Sequence, residues 1–128
     1  MRYRLMDILA CPICKAFPLE LLVLEASKGE PKRREKVGCE LYCVYNGGMI
    51  GELRRPDLVR DCEVCFSYEL REASLSCPNC GRWYPVMDSI PHMLPDELRK
   101  ESEDLRFLER YKDRLPEKVV RRGLPFHL

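Results

Sequence analysis

The sequence predicts a small α+β domain of antiparallel strands, with a cysteine-rich insert and a C-terminal helix. Three observations predict it: a thin core, four cysteine doublets within the first 80 residues, and a proline-opened amphipathic segment after residue 94. Hydrophobic residues make up 45% of the 128, but eight of them are cysteines, and 34% of the chain is charged. Typical domains reach about 45–50% apolar residues without leaning on cysteine. A chain this short buries a modest core, and small scaffolds call for staples. No apolar run approaches the ~20 residues needed to span a bilayer. The start, Met1 to Asp7, is basic, yet Asp7 and then Cys11-Pro12 interrupt any signal-peptide core. The expected location is the cytoplasm, where thiols stay reduced. A net charge of +1 exerts no global pull on nucleic acid or on anionic membrane.

Taken in order, residues 17–25 (FPLELLVLE) read as a strand. Residues 27–36 are a polar loop with Gly29 and Pro31. Val37 to Tyr45 reads as a strand with Cys39, Leu41, Cys43 and Tyr45 on one face. Asn46-Gly47-Gly48 signals a hairpin turn, returning through Met49 to Leu53. Pro56 to Arg60 reads as a helical turn, and 66–70 and 73–76 as extended. Residues 82–86 (RWYPV) are aromatic and β-prone, and Asp88-Ser89 turns the chain. Pro95 opens a helix whose first turn carries Asp96 and Glu97, suited to the positive dipole end. Leu98, Leu105, Leu108, Tyr111 and Leu115 form its apolar face, Asp96–Lys100 and Arg99–Glu103 its solvated i,i+4 pairs, and Pro116 ends it. Residues 117–122 form a further turn closed by Gly123.

The doublets carry the chemistry. Cys11-Pro12-Ile13-Cys14 and Cys77-Pro78-Asn79-Cys80 are near copies, each a C-P-x-C knuckle. Two intervening residues let both sulfurs reach one tetrahedral ion. Gly81 after Cys80 permits the left-handed geometry that completes such a turn. Two knuckles supplying four thiolates read as a structural zinc site of the zinc-ribbon kind. The inner doublets, Cys39-x3-Cys43 and Cys62-x2-Cys65, fall within the 62 residues between the knuckles, 18 residues apart. The simplest scheme is nested: Cys11, Cys14, Cys77 and Cys80 bind one zinc, and Cys39, Cys43, Cys62 and Cys65 bind a second. Spacing leaves sequential and crossed pairings open. On a straight strand Cys39 and Cys43 lie about 13 Å apart, so the strand must bend there. Domain bounds follow: a zinc-ribbon-like domain over 1–94, with 37–70 as an inserted four-cysteine zinc module, then a helical tail over 95–128.

Competing readings are weaker. Disulfides require an oxidising compartment. A redox-active C-x-x-C belongs in a βαβ setting, which the pattern lacks. Four-thiolate sites keep no open position for catalysis. The basic run Lys28 to Lys36 lacks the interleaved aromatics of a nucleic-acid surface and reads as a solvated loop. His92 and His127 have no metal spacing to the cysteines, and no catalytic constellation stands out. The apolar stretch 83–94 carries Pro85 and Pro91, which place it at a sheet edge or in a loop. It reads equally as core under the helix or as an exposed edge awaiting a partner.

Three runs together resemble one family: residues 5–14 (LMDILACPIC), 75–86 (LSCPNCGRWYPV) and 90–94 (IPHML). The chain resembles the small zinc-binding activator subunit shared by S-adenosylmethionine-dependent tRNA, rRNA and release-factor methyltransferases. The resemblance spans roughly residues 1–25 and 73–95. It implies a non-catalytic protein whose zinc-ribbon-like domain holds one zinc through the outer cysteines. It further implies a heterodimer in which a sheet edge and apolar cover are lent to a methyltransferase that holds the methyl donor. By position, Trp83, Tyr84, Val86, Ile90, Pro91, Met93 and Leu94 form that partner surface. RNA contact is implied only through the complex, and no membrane contact. The sequence departs from the pattern at Ser89, where the family usually has Gly, in its cysteine-rich middle, and in its long tail. Readings from other classes are a zinc-ribbon nucleic-acid-binding protein and a thiol redox or metal-handling protein.

Overall fold

A computed structural model describes residues 1–29, 39–53 and 62–128. The proposed turn at 56–60, most of the polar loop and residues 37–38 lie outside the described residues. A 3-10 turn (Tyr3–Asp7) precedes β1 (Glu20–Lys28). A short hairpin follows, β2 (Tyr42–Cys43) and β3 (Gly48–Met49), then a 3-10 turn (Ile50–Glu52). Residues 62–65 make one helical turn before β4 (Tyr68–Ser76), β5 (Trp83–Met87) and β6 (Ile90–Pro91). A 3-10 turn (Asp96–Leu98), helix α1 (Glu101–Tyr111) and the single turn α2 (Glu117–Val120) complete the chain.

The main sheet is antiparallel in the order β1-β4-β5-β6, and β2-β3 stands apart. Alternation along the strands sorts the core onto two faces. Leu70, Ala73, Leu75, Tyr84 and Val86 pack with Met1, Met6, Cys11, Leu19 and Cys77. Trp83 and Leu24 instead pack with Phe107, Leu108, Tyr111, Leu115, Val119 and Val120. The segment after residue 94 is therefore the cover of one sheet face. Each of these large side chains contributes about 1.5–3 kcal/mol by burial. Trp83 stacks on Phe107 at 5.7 Å between ring centroids, and its indole N–H donates to the Phe126 carbonyl at 2.9 Å.

Several expectations change. The strand at 37–45 is reduced, among the described residues, to Tyr42–Cys43, because three consecutive N–H groups, those of residues 40–42, turn onto the Asp7 side chain. The two extended runs at 66–70 and 73–76 fuse into one strand paired with β1 from Lys28↔Tyr68 to Glu20↔Ser76. Pro85 sits in an inner strand, opposite Ser74. Its carbonyl accepts from His92 N at 2.9 Å, so its missing donor faces the two-residue β6 and no long ladder is broken. The outer side of β5 is also met by Leu124, whose carbonyl accepts from Trp83 N and whose N–H donates to Gly81 O.

The helix begins six residues later than Pro95. Arg99 turns inward, donating to the Trp83 carbonyl and to Asp104 at 2.9 Å, with its guanidinium 4.7 Å from the Trp83 ring. That buried ion pair replaces the expected Arg99–Glu103 pair, and Asp96 pairs with Arg82 at 2.8 Å rather than with Lys100. Leu98 is left 62% exposed, off the apolar face. Gly123 is required where the chain crosses Trp83: a Cβ there would lie 2.6 Å from the indole and 2.4 Å from the Val119 carbonyl.

Candidate metal centre

The two knuckles are built alike. In the first, Lys15 N donates to Cys11 O at 2.9 Å and Cys11 N to Ala16 O at 2.9 Å. In the second, Gly81 N donates to Cys77 O at 3.1 Å and Cys77 N to Arg82 O at 2.8 Å. The residue after each second cysteine is left-handed, Lys15 at φ 66° and Gly81 at φ 78°. The sequence signalled this turn at Gly81. At Lys15 the same conformation is imposed on a residue with a side chain.

The knuckles meet face to face. The sulfurs of Cys11, Cys14, Cys77 and Cys80 all lie within 4.8 Å of one another, with Cys11 and Cys77 buried. Cys11 and Cys80 approach to 3.6 Å, and Cys14 and Cys77 to 3.5 Å. A tetrahedral ion with metal–sulfur bonds of about 2.3 Å requires sulfurs about 3.8 Å apart. All four are free thiols, and the set fits a four-coordinate cation. Cys80 N donates to Cys77 Sγ at 3.5 Å. The Tyr84 hydroxyl lies 3.3 Å from Cys11 Sγ in a fully buried setting, and burial followed by that contact raises the phenol. A hydrogen bond from the Asn79 side chain, then the Ala16 N–H, lower the Cys14 thiol to about 6. Burial pushes Cys77 up to about 12. A bound cation overrides such differences by favouring thiolate at all four positions.

A family model described as Trm112p-like protein matches residues 2–89. The chain belongs to the Trm112p-like family. The matched span contains both knuckles and ends within the turn after β5, so β6 and the helices lie beyond it. The fold of this Trm112p-like chain is similar to a chain from the E. cuniculi Mtq2–Trm112 complex, described as responsible for the methylation of the eRF1 translation termination factor. Identity is 23%, the TM-score is 0.50, and the match covers 73% of this chain and 95% of that one. Comparison with curated proteins found no match. No described helix is long and apolar enough to cross a membrane.

Among the described residues, the outer four are the one set of possible ligands drawn this close. Cys39 and Cys43 flank the Asp7-bound bend, and Cys62 and Cys65 share one helical turn. Of the seven residues assigned to a partner, Trp83, Tyr84 and Val86 are 0% exposed and belong to the core. The physical reason is that both sheet faces are already covered, one by the knuckles and one by α1 and α2. Ile90 and Leu94 are exposed, and Pro91 and Met93 are half-buried. His92 is half-buried and His127 exposed, and neither belongs to the sulfur cluster.

Sequence reasoning missed Asp7 as a structural residue. Its carboxylate accepts from Glu40, Leu41 and Tyr42 N–H groups at 2.7–2.8 Å. Burial pushes this carboxyl up, but the three N–H bonds and Arg4 outweigh it and hold it below the usual range. No sequence signal announces partners 33–35 residues away. The role of Tyr84 was more accessible, since the period of β5 puts it on the same face as Val86, toward the knuckles.

Proposed function

We propose that the chain is a non-catalytic, zinc-binding subunit that stabilises and activates an S-adenosylmethionine-dependent methyltransferase acting on tRNA, rRNA or a translation release factor. The observation that carries this reading is the family match over residues 2–89, which takes in the whole four-thiol centre. The E. cuniculi complex, in which a Trm112 chain accompanies the methyltransferase Mtq2, supports it. An all-thiolate, tetrahedral donor set favours zinc among common divalent ions. Zinc closed by four thiolates has no position for substrate, so the metal is structural, joining the loop before β1 to the β4–β5 turn. The methyl donor and the reacting groups belong to the partner.

The sheet edges support a place for the partner. At β1, Arg114 donates to the Leu24 and Val23 carbonyls at 2.7 and 3.5 Å, and Lys118 pairs with Glu20. Those two side chains lie across part of that edge. At the other edge, Ile90 is 59% exposed on β6, followed by Leu94 at 41% and Leu98 at 62%. Ile90, Pro91, Met93 and Leu94 form the docking surface in this reading, with Leu98 added. Backbone pairing to an edge strand plus apolar side-chain anchors is a general mode of recognition.

The experiment is co-purification of the tagged chain from native lysate, with mass spectrometry and a methyl-transfer assay on the recovered complex. A methyltransferase is expected with the wild type and absent with Ile90→Asp, while zinc content and circular dichroism stay unchanged. Recovery of nucleic acid without a methyltransferase would overturn the reading. Loss of zinc from Ile90→Asp would remove this surface from it.

A further inference from the structure

We propose that Cys39, Cys43, Cys62 and Cys65 form a second metal centre, taking a thiophilic divalent cation of the zinc class. This centre stands apart from the outer four thiols, and its existence does not depend on the methyltransferase reading.

Four independent features support it. All four residues are reduced thiols, and Cys43 and Cys65 are buried. The N–H of Asn46 donates to Cys43 Sγ at 3.4 Å, and so does its side-chain amide at 3.4 Å. That main-chain bond has the same three-residue span as the one from Cys80 to Cys77 in the outer centre, although here the sulfur belongs to the second cysteine of its doublet. Such N–H donors stabilise sulfur as thiolate, the form that binds metal. Cys62 and Cys65 stand three apart on one helical turn, with Phe66 N bonded to Cys62 O at 2.9 Å, so both side chains share a face. Asp7 holds the N–H groups of residues 40–42 and so fixes the bend that Cys39 and Cys43 flank.

Ring contacts place the two segments side by side: Tyr45, two residues after Cys43, lies 6.3 Å between centroids from Tyr68, three residues after Cys65. A divalent cation turns neighbouring thiols into ligands. Four thiolates around a divalent ion leave a charge of −2, and Arg2, whose guanidinium donates to the Phe66 carbonyl at 2.7 Å, brings a positive charge beside Cys65. The inner sulfurs are less tightly gathered than the outer ones. Metal binding therefore draws residues 39–43 and 62–65 together over the Tyr3–Asp7 turn, where Tyr3 already contacts Tyr45 at 5.4 Å and Tyr68 at 6.0 Å.

The test is elemental analysis of the purified full chain with mapping of thiol protection. Two zinc per chain are expected, with Cys39, Cys43, Cys62 and Cys65 resisting alkylation until chelator is added. The Cys43→Ser/Cys65→Ser double variant should lose one equivalent and keep the other. Cobalt loaded into the wild type should show two equivalents of thiolate-to-metal absorption. If the double variant does not fold, the protection map of the wild type decides. One zinc per chain with the inner four thiols readily alkylated overturns the proposal, and so does a disulfide among them. Loss of methyltransferase recovery with two zinc intact would count against the proposed function alone.

Discussion

The outer and inner cysteine sets hold the same residue type in the same number and reach their geometry by different routes. Each outer knuckle closes on itself, through a hydrogen bond from the residue after its second cysteine and a left-handed residue at that position. The sulfurs converge because β1 pairs with β4 at Glu20↔Ser76, which brings the loop before β1 against the β4–β5 turn. The inner doublets have no such pair of turns. One lies on a bend held by Asp7 and the other on a helical turn, so the proposed second centre depends on side chains distant in sequence. Local turn chemistry makes a site rigid before metal arrives, whereas a site assembled by tertiary support is drawn together by it.

The largest effect that separates the two sets is metal removal. Stripping the outer cation, or Cys14→Ser, should cost on the order of 10 kcal/mol and unfold the sheet, read as loss of far-ultraviolet dichroism on titration with chelator. Loss of the inner thiols through Cys43→Ser should leave the sheet intact and release only residues 39–53, seen as faster amide exchange there. Equal unfolding in both cases would erase the distinction.

Asp7 tests the support of the inner set alone. Asp7→Ala leaves three N–H groups without their carboxylate and should destabilise the chain by about 2–3 kcal/mol. Its carboxyl is lowered in the folded state from an ordinary value of 3.8. Its contribution is therefore present in full above that value and fades as pH falls through the lowered one. Denaturation of wild type and variant should differ by a constant amount at about pH 5–8 and converge in stronger acid. A difference that grows in acid would refute the assignment.

Smaller effects probe the outer set. Tyr84→Phe removes the hydroxyl 3.3 Å from Cys11 Sγ and should weaken metal retention by about tenfold in chelator competition, with the fold preserved. The matched knuckles predict opposite responses to glycine. Gly81→Ala should destabilise by about 1 kcal/mol, because a side chain is disfavoured at positive φ. Lys15→Gly should gain up to about 0.5–1 kcal/mol by relieving the same strain. Like signs for both would show that the knuckles are not equivalent.

Much of this was legible in the chain. Spacing and proline placement identified both knuckles, and Gly81 marked the turn that completes the second. The strands read at 17–25 and 82–86 from apolar and aromatic runs overlap β1 and β5, although β1 starts at Glu20 and runs on to Lys28, and the helix followed from Leu105, Leu108, Tyr111 and Leu115. The apolar stretch 83–94 could not be divided by pattern, because burial depends on what covers a sheet. The tail settled it: α1 and α2 cover Trp83, the knuckles cover Tyr84 and Val86, and Ile90 and Leu94 are left outside. Helix onset was misplaced for a similar reason, since Arg99 gains more from Asp104, the Trp83 carbonyl and its ring than from a place in the helix.

The division has a physical basis. Metal-ligand spacing, turn residues and periodicity are local, so the amino-acid sequence by itself determined the outer four-thiol centre and the class of the fold. Which face each apolar residue meets, and how the bend at residues 40–42 is held, depends on contacts between residues far apart in the chain. Those were decided by the tertiary structure: by Asp7 gathering amides some 33–35 positions away, and by two helices closing over a tryptophan.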